Sequence, residues 1–130
     1  MEHYGMDDSM QESVDKLGDA LVGKKIVSAE ELHDGGVKWK LDDGKIVYME
    51  AIINCCAGAG VDELRLNIAN IDNVITSVIA RDNYQEWTVL AAGIPVAELD
   101  VGWSEGTGYY SYGFSVEVYT DKNWVRASEQ

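Results

Sequence analysis

The sequence predicts an α+β fold that is mostly β: an N-terminal amphipathic helix packed on an antiparallel sheet of about seven strands, curled or sandwiched. Three observations predict it. Apolar residues recur at helical spacing only near the N-terminus. From residue 24 onward the hydrophobic period changes to two, in short runs separated by Gly, Asp and Asn. The 130 residues include one proline and 46% hydrophobic residues, which suits one domain with a real core and no Pro-rich linker. The expected organisation is a single domain over residues 1–130, with an acidic helical segment at 1–22, a β domain at 23–120 and a tail at 121–130.

Asp8 and Ser9 are N-cap residue types, and Glu12 stands three residues after Ser9, the spacing of a capping box. Met10, Val14, Leu17 and Leu21 then form one apolar stripe on a helix of about three turns. Gly18 weakens that helix by about 1 kcal/mol, and Gly23 is its natural stop. Such a stripe packs at home or docks on a partner; packing at home is the simpler reading.

Val37, Trp39 and Leu41 alternate with Lys38 and Lys40 between two turn signals, His33-Asp34-Gly35-Gly36 and Asp42-Asp43-Gly44, as in a hairpin strand with one wet face. Residues 45–53 are apolar on both sides, as in a central strand. Leu64, Leu66 and Ile68 alternate with Glu63, Arg65 and Asn67. Residues 74–80 are β-branched and largely apolar, and Asp82-Asn83 turns the chain into Trp87 to Ala91. Ala97, Leu99, Val101 and Trp103 face one way, Glu98 and Asp100 the other. After Ser104 to Gly108, Tyr110, Tyr112, Phe114, Val116 and Val118 share a face, so these two runs are expected to pair as the last hairpin.

With 10 Lys+Arg against 23 Asp+Glu the net charge is −13. Residues 1–22 and 46–121 carry the excess, while 23–45 balance. Such a surface repels nucleic acid and anionic membranes, because phosphate binding needs clustered Lys and Arg. A basic protein partner fits it, and so does plain solubility. Nothing approaches the roughly 18 consecutive apolar residues a membrane span needs. Met1-Glu2-His3-Tyr4 begins no secretory signal, and adjacent Cys55 and Cys56 form no disulfide framework, so a reducing cytosol is expected.

Gly102-Trp103-Ser104-Glu105-Gly106 spells the G-x-S-x-G nucleophile elbow, but His3 and His33 both lie upstream, so the order Ser…Asp…His cannot be met. A tight turn explains those glycines better. Cys55-Cys56 supplies two thiols where structural zinc needs four ligands, and the C-x-x-C of a redox switch is absent; packing of small residues at a strand end is the simpler account. Gly58-Ala59-Gly60 lacks the third glycine of a dinucleotide fingerprint. Glu98 and Asp100 share a strand face with Glu105 in the adjoining turn, a trio able to hold Mg²⁺ or Ca²⁺ through oxygen; a solvated outer face explains the same letters. No cofactor or metal is expected. Of the aromatics, Tyr109 and Tyr119 are contact candidates. The candidate binding residues are Glu98, Asp100, Ser104, Glu105, Tyr109 and Tyr119.

One further pattern runs through Leu21-Val22-Gly23-Lys24-Lys25-Ile26-Val27-Ser28, Leu41-Asp42-Asp43-Gly44, Cys55-Cys56-Ala57, Ile75-Thr76-Ser77-Val78 and the stretch from Asp100 through Trp103-Ser104-Glu105-Gly106 to Phe114. On these residues the chain resembles a family of small proteins of actinobacterial viruses and their hosts. The resemblance covers residues 21–119, and Asn54 stands where the family pattern has aspartate. It supplies no catalytic residues and implies a viral or prophage setting. The expected function is a small acidic, non-enzymatic binding protein that occupies or inhibits a basic host protein in the host cytosol. The alternatives are an oligomeric sponge or sensor for a small molecule such as a signalling nucleotide, a virion structural or assembly component, and a carboxylate–metal enzyme.

Overall fold

Helix α1 (Met6–Leu21) opens the chain, and eight strands follow: β1 (Ile26–Glu31), β2 (Val37–Leu41), β3 (Lys45–Ile52), β4 (Gly58–Leu66), β5 (Ser77–Arg81), β6 (Glu86–Ala91), β7 (Ile94–Ser104) and β8 (Gly113–Thr120). This computed structural model describes residues 6–52, 58–104 and 113–120. Cys55, Cys56, Glu105, Tyr109, Tyr110, Tyr112 and the expected tail at 121–130 lie outside the described residues.

The strands form two antiparallel four-stranded sheets, ordered β1-β2-β3-β8 and β4-β7-β6-β5. The expected α+β, mostly β class is what the chain adopts. α1 lies against β8 of the first sheet and β5 of the second. Its stripe of Met10, Val14, Leu17 and Leu21 is buried in one hydrophobic cluster with Trp39, Val47 and Met49 of the first sheet and Trp87, Val89 and Leu99 of the second. The stripe packs at home, and each such side chain contributes about 1.5–3 kcal/mol relative to exposure. Two rings meet edge to face within the cluster, Trp87 and Phe114, at 5.3 Å.

Local chemistry explains most boundaries. The β1–β2 turn closes with Gly35 N–H donating to the Leu32 carbonyl, and Gly36 N–H donating to the Asp34 carboxylate. Gly36 has no substitute there, because a Cβ would stand 2.2 Å from the Met49 carbonyl oxygen. At the β2–β3 turn Asp42 accepts from Lys25 N–H and Asp43 from Lys45 N–H. Helix α1 ends where expected, with Lys24 N–H closing on the Leu21 carbonyl.

Among the described residues there are eight strands, in line with the seven or so expected; β1 exposes most of its residues at a sheet edge and shows little alternation. Three expectations are corrected. The described helix runs from Met6, so Asp8 and Ser9 fall within it rather than at the residue before it; acidic residues in a first turn are favoured by the helix dipole as well, so the sequence signal fits both positions. The last hairpin does not form: β7 already pairs with β4 on one side and β6 on the other, so β8 pairs with β3 in the first sheet. Lastly, Gly102 is no turn residue, since β7 runs through it to Ser104.

Candidate functional site: an acidic face on the second sheet

In β7 the side chains of Ala97, Leu99 and Val101 are buried, so Glu98 and Asp100 stand on the outer face of the second sheet. The register decides what surrounds them. Asp100 is opposite Glu63 of β4 on one side and Glu86 of β6 on the other, and Glu86 is opposite Arg81 of β5. One row therefore reads Glu63, Asp100, Glu86, Arg81. The next reads Arg65, Glu98, Thr88, Ile79. Three acidic residues directly opposite one another on adjacent strands form an unfavourable ladder.

Arg65 relieves it. Its guanidinium grips Asp100 with two hydrogen bonds, Nη1 to Oδ2 at 2.8 Å and Nη2 to Oδ1 at 3.1 Å. It also reaches Glu63 at 3.3 Å and Glu98 at 3.9 Å. That hydrogen bond holds the Asp100 carboxyl below the usual carboxylate range and pushes the guanidinium further up. A fifth carboxylate joins from the β4 bulge: Asp62 lies over Gly102, where a Cβ would be 2.9 Å from Oδ2. Glycine at 102 is what lets that carboxylate lie flat on the sheet.

Chemically, this face presents ionised oxygens to solvent. Asp100 is kept deprotonated, the opposite of a proton-donating carboxyl. Among the described residues no three His, Cys, Asp or Glu converge as they would around a metal ion.

Of the expected binding residues, Glu98 and Asp100 stand on this face. Ser104 ends β7 opposite Gly58, and Glu105 and Tyr109 lie outside the described residues. Tyr119 is elsewhere: it stands on the outer face of the first sheet, edge to face with Tyr48 at 5.5 Å, with Lys38 Nζ 5.9 Å from the Tyr48 ring centre. Glu117 beside it raises the phenol's pKa. Asp62, Glu63, Arg65 and Glu86 complete the face, and no sequence motif marks them. Alternation gives the parity of each, but only strand register brings them together.

Compared with known proteins, residues 19–116 match the model of one family, a domain of unknown function, DUF7448. No curated protein and no solved structure matches the chain.

Proposed function

The chain belongs to that family of domains, and from this premise we propose that it is a small acidic binding protein that occupies a basic surface of another protein with the outer face of its second sheet. The observation that carries the reading is the charge of that face: five carboxylates (Asp62, Glu63, Glu86, Glu98, Asp100) around Arg65, with Arg81 at the margin. Repulsion between neighbouring strands is a cost to folding that a cationic partner would remove. The setting that fits the sequence pattern is viral or prophage, with a host protein in the host cytosol as the target. The charge of the chain also disfavours direct contact with nucleic acid or an anionic membrane.

The test is capture from bacterial lysate at low and high salt, with two double variants that carry the same charge change. Glu86→Lys with Glu98→Lys alters the face; Glu12→Lys with Asp15→Lys alters the exposed side of α1. A salt-labile basic protein retained by the wild type and the helix variant, and at least about tenfold weaker on the face variant, is the expected result. Equal loss in both variants, or a complex indifferent to salt, would sink the reading.

A further inference from the structure

Two of the four sheet edges are covered or blunted along the strand, and a third is engaged just before it begins. On β4, Val61 N–H donates to the Gly35 carbonyl at 2.7 Å and Leu64 N–H to the Glu31 carboxylate at 3.3 Å. Just before β5, Gly23 N–H donates to the Ile75 carbonyl and Ile75 N–H to the Lys24 carbonyl, both at 2.9 Å. β1 has a bulge between Ile26 and Ser28 and ends in Glu30 and Glu31, devices that discourage edge pairing.

β8 is different. It pairs with β3 along its whole length without a register shift. Ser13 of α1 engages both main-chain groups of Phe114: its hydroxyl donates to the carbonyl at 3.2 Å, and its Oγ accepts from the N–H at 2.9 Å. Those groups therefore face away from β3, and by the strand period those of Val116, Val118 and Thr120 do too. Among the described residues nothing pairs with these three. Beyond Ser13 the helix and strand part around a groove of about 350 Å³, walled by Lys16, Asp19 and Ala20 on one side and Val116 and Val118 on the other. Val118 is 51% exposed and Tyr119 49%. Residues 114–120 themselves contain no lysine or proline, and the strand has no bulge.

The geometry points to a second copy of this chain as its occupant, added β8 to β8 across a two-fold axis so that the two first sheets become one. One antiparallel register uses the whole free stretch: the axis passes at Val118, and Val116 meets the partner's Thr120. This register sets no carboxylate of the strand against another: Glu117 stands opposite the partner's Tyr119. Moving the axis back one residue sets Glu117 against the partner's Glu117, and one residue further brings in Phe114, already engaged by Ser13. The pairing forms about six main-chain hydrogen bonds and closes as an isologous dimer. It does not depend on the acidic face, which is on the other sheet.

The two surfaces respond oppositely to salt. Two chains of −13 repel, so salt tightens the dimer, whereas it loosens a complex with a basic partner. Sedimentation of the full chain at rising concentration is expected to show a monomer–dimer equilibrium that strengthens with sodium chloride. Val118→Lys weakens it at least about tenfold, while Val27→Lys, with the same charge change on exposed β1, leaves it alone. Amide exchange by NMR adds a residue-level check: protection of Val116, Val118 and Thr120 rises with concentration, while that of Ser115, Glu117 and Tyr119 stays constant. A monomer under all conditions overturns the proposal, as does equal weakening by both lysine variants. Protection of Val116, Val118 and Thr120 in the monomer overturns it too, by placing another part of the same chain on this edge.

Discussion

Trp39 is fully buried, and its indole N–H has no hydrogen-bond partner among the described residues. Trp87 and Trp103 differ: they donate to the Tyr84 and Asn83 carbonyls, each at 2.9 Å. Those carbonyls belong to a turn in which Asp82, Asn83 and Tyr84 all have positive φ, of 52°, 57° and 64°. Asp and Asn tolerate that region, tyrosine much less, so the two indoles hold a strained turn in place. Trp39 and Trp87 are both fully buried, so replacing either by phenylalanine leaves a comparable void and the difference between the two variants isolates the N–H. We expect Trp39→Phe to cost about 1–3 kcal/mol less stability than Trp87→Phe, because the first removes an unsatisfied donor and the second orphans a carbonyl. Urea unfolding measures it; the reverse order would mean that the Trp39 N–H has a partner. Asp82-Asn83 was legible as a turn because those residue types announce one. The left-handed Tyr84 was not, since it is held by tryptophans distant in sequence.

Among elements, the join between α1 and β8 rests on Ser13. A helical serine satisfies both backbone groups of Phe114, a residue on the edge strand of the other layer, as a neighbouring strand would. Ser13→Ala improves helix propensity by about 0.5 kcal/mol yet leaves a buried N–H and C=O unpaired, a penalty of about 1–3 kcal/mol. Net destabilisation and faster amide exchange at Phe114 are therefore expected. A stabilised variant would show that water takes over both groups. The same elements show what sequence can and cannot reveal. The stripe of α1 and the hairpin β2–β3 were readable because each signal lies within about twenty residues. The partner of β8 was not, because pairing depends on which strand still has an open edge. β7, flanked on both sides, has none.

Across the whole molecule, two electrostatic effects oppose each other. The net charge of −13 makes the compact state repel itself, and acid relieves that repulsion as carboxylates protonate. Particular pairs favour ionisation. Burial pushes the Asp43 carboxyl up, but the hydrogen bond from Lys24, 2.8 Å away, the Lys45 N–H and both lysine charges carry it below its ordinary value. The hydrogen bond from Arg65 does the same for Asp100. A carboxyl depressed in the folded state stabilises fully above its unfolded pKa, about 3.9, and that stability is lost as pH falls through the lower folded value. Thermal stability is therefore expected to rise slightly as pH is lowered from 7, pass a maximum between about pH 4 and 6, and fall below about pH 4. Asp43→Asn shallows the acid limb, and added salt raises the melting temperature at pH 7, where repulsion outweighs exposed pairs worth about 0–1 kcal/mol each. A melting temperature that salt lowers at pH 7 would reverse that ranking and make the ion pairs the stronger of the two effects. The total charge was plain from composition, but its gathering on one sheet face was not. Glu63, Glu86, Glu98 and Asp100 lie on three strands spread over much of the sequence, and only their register sets them side by side.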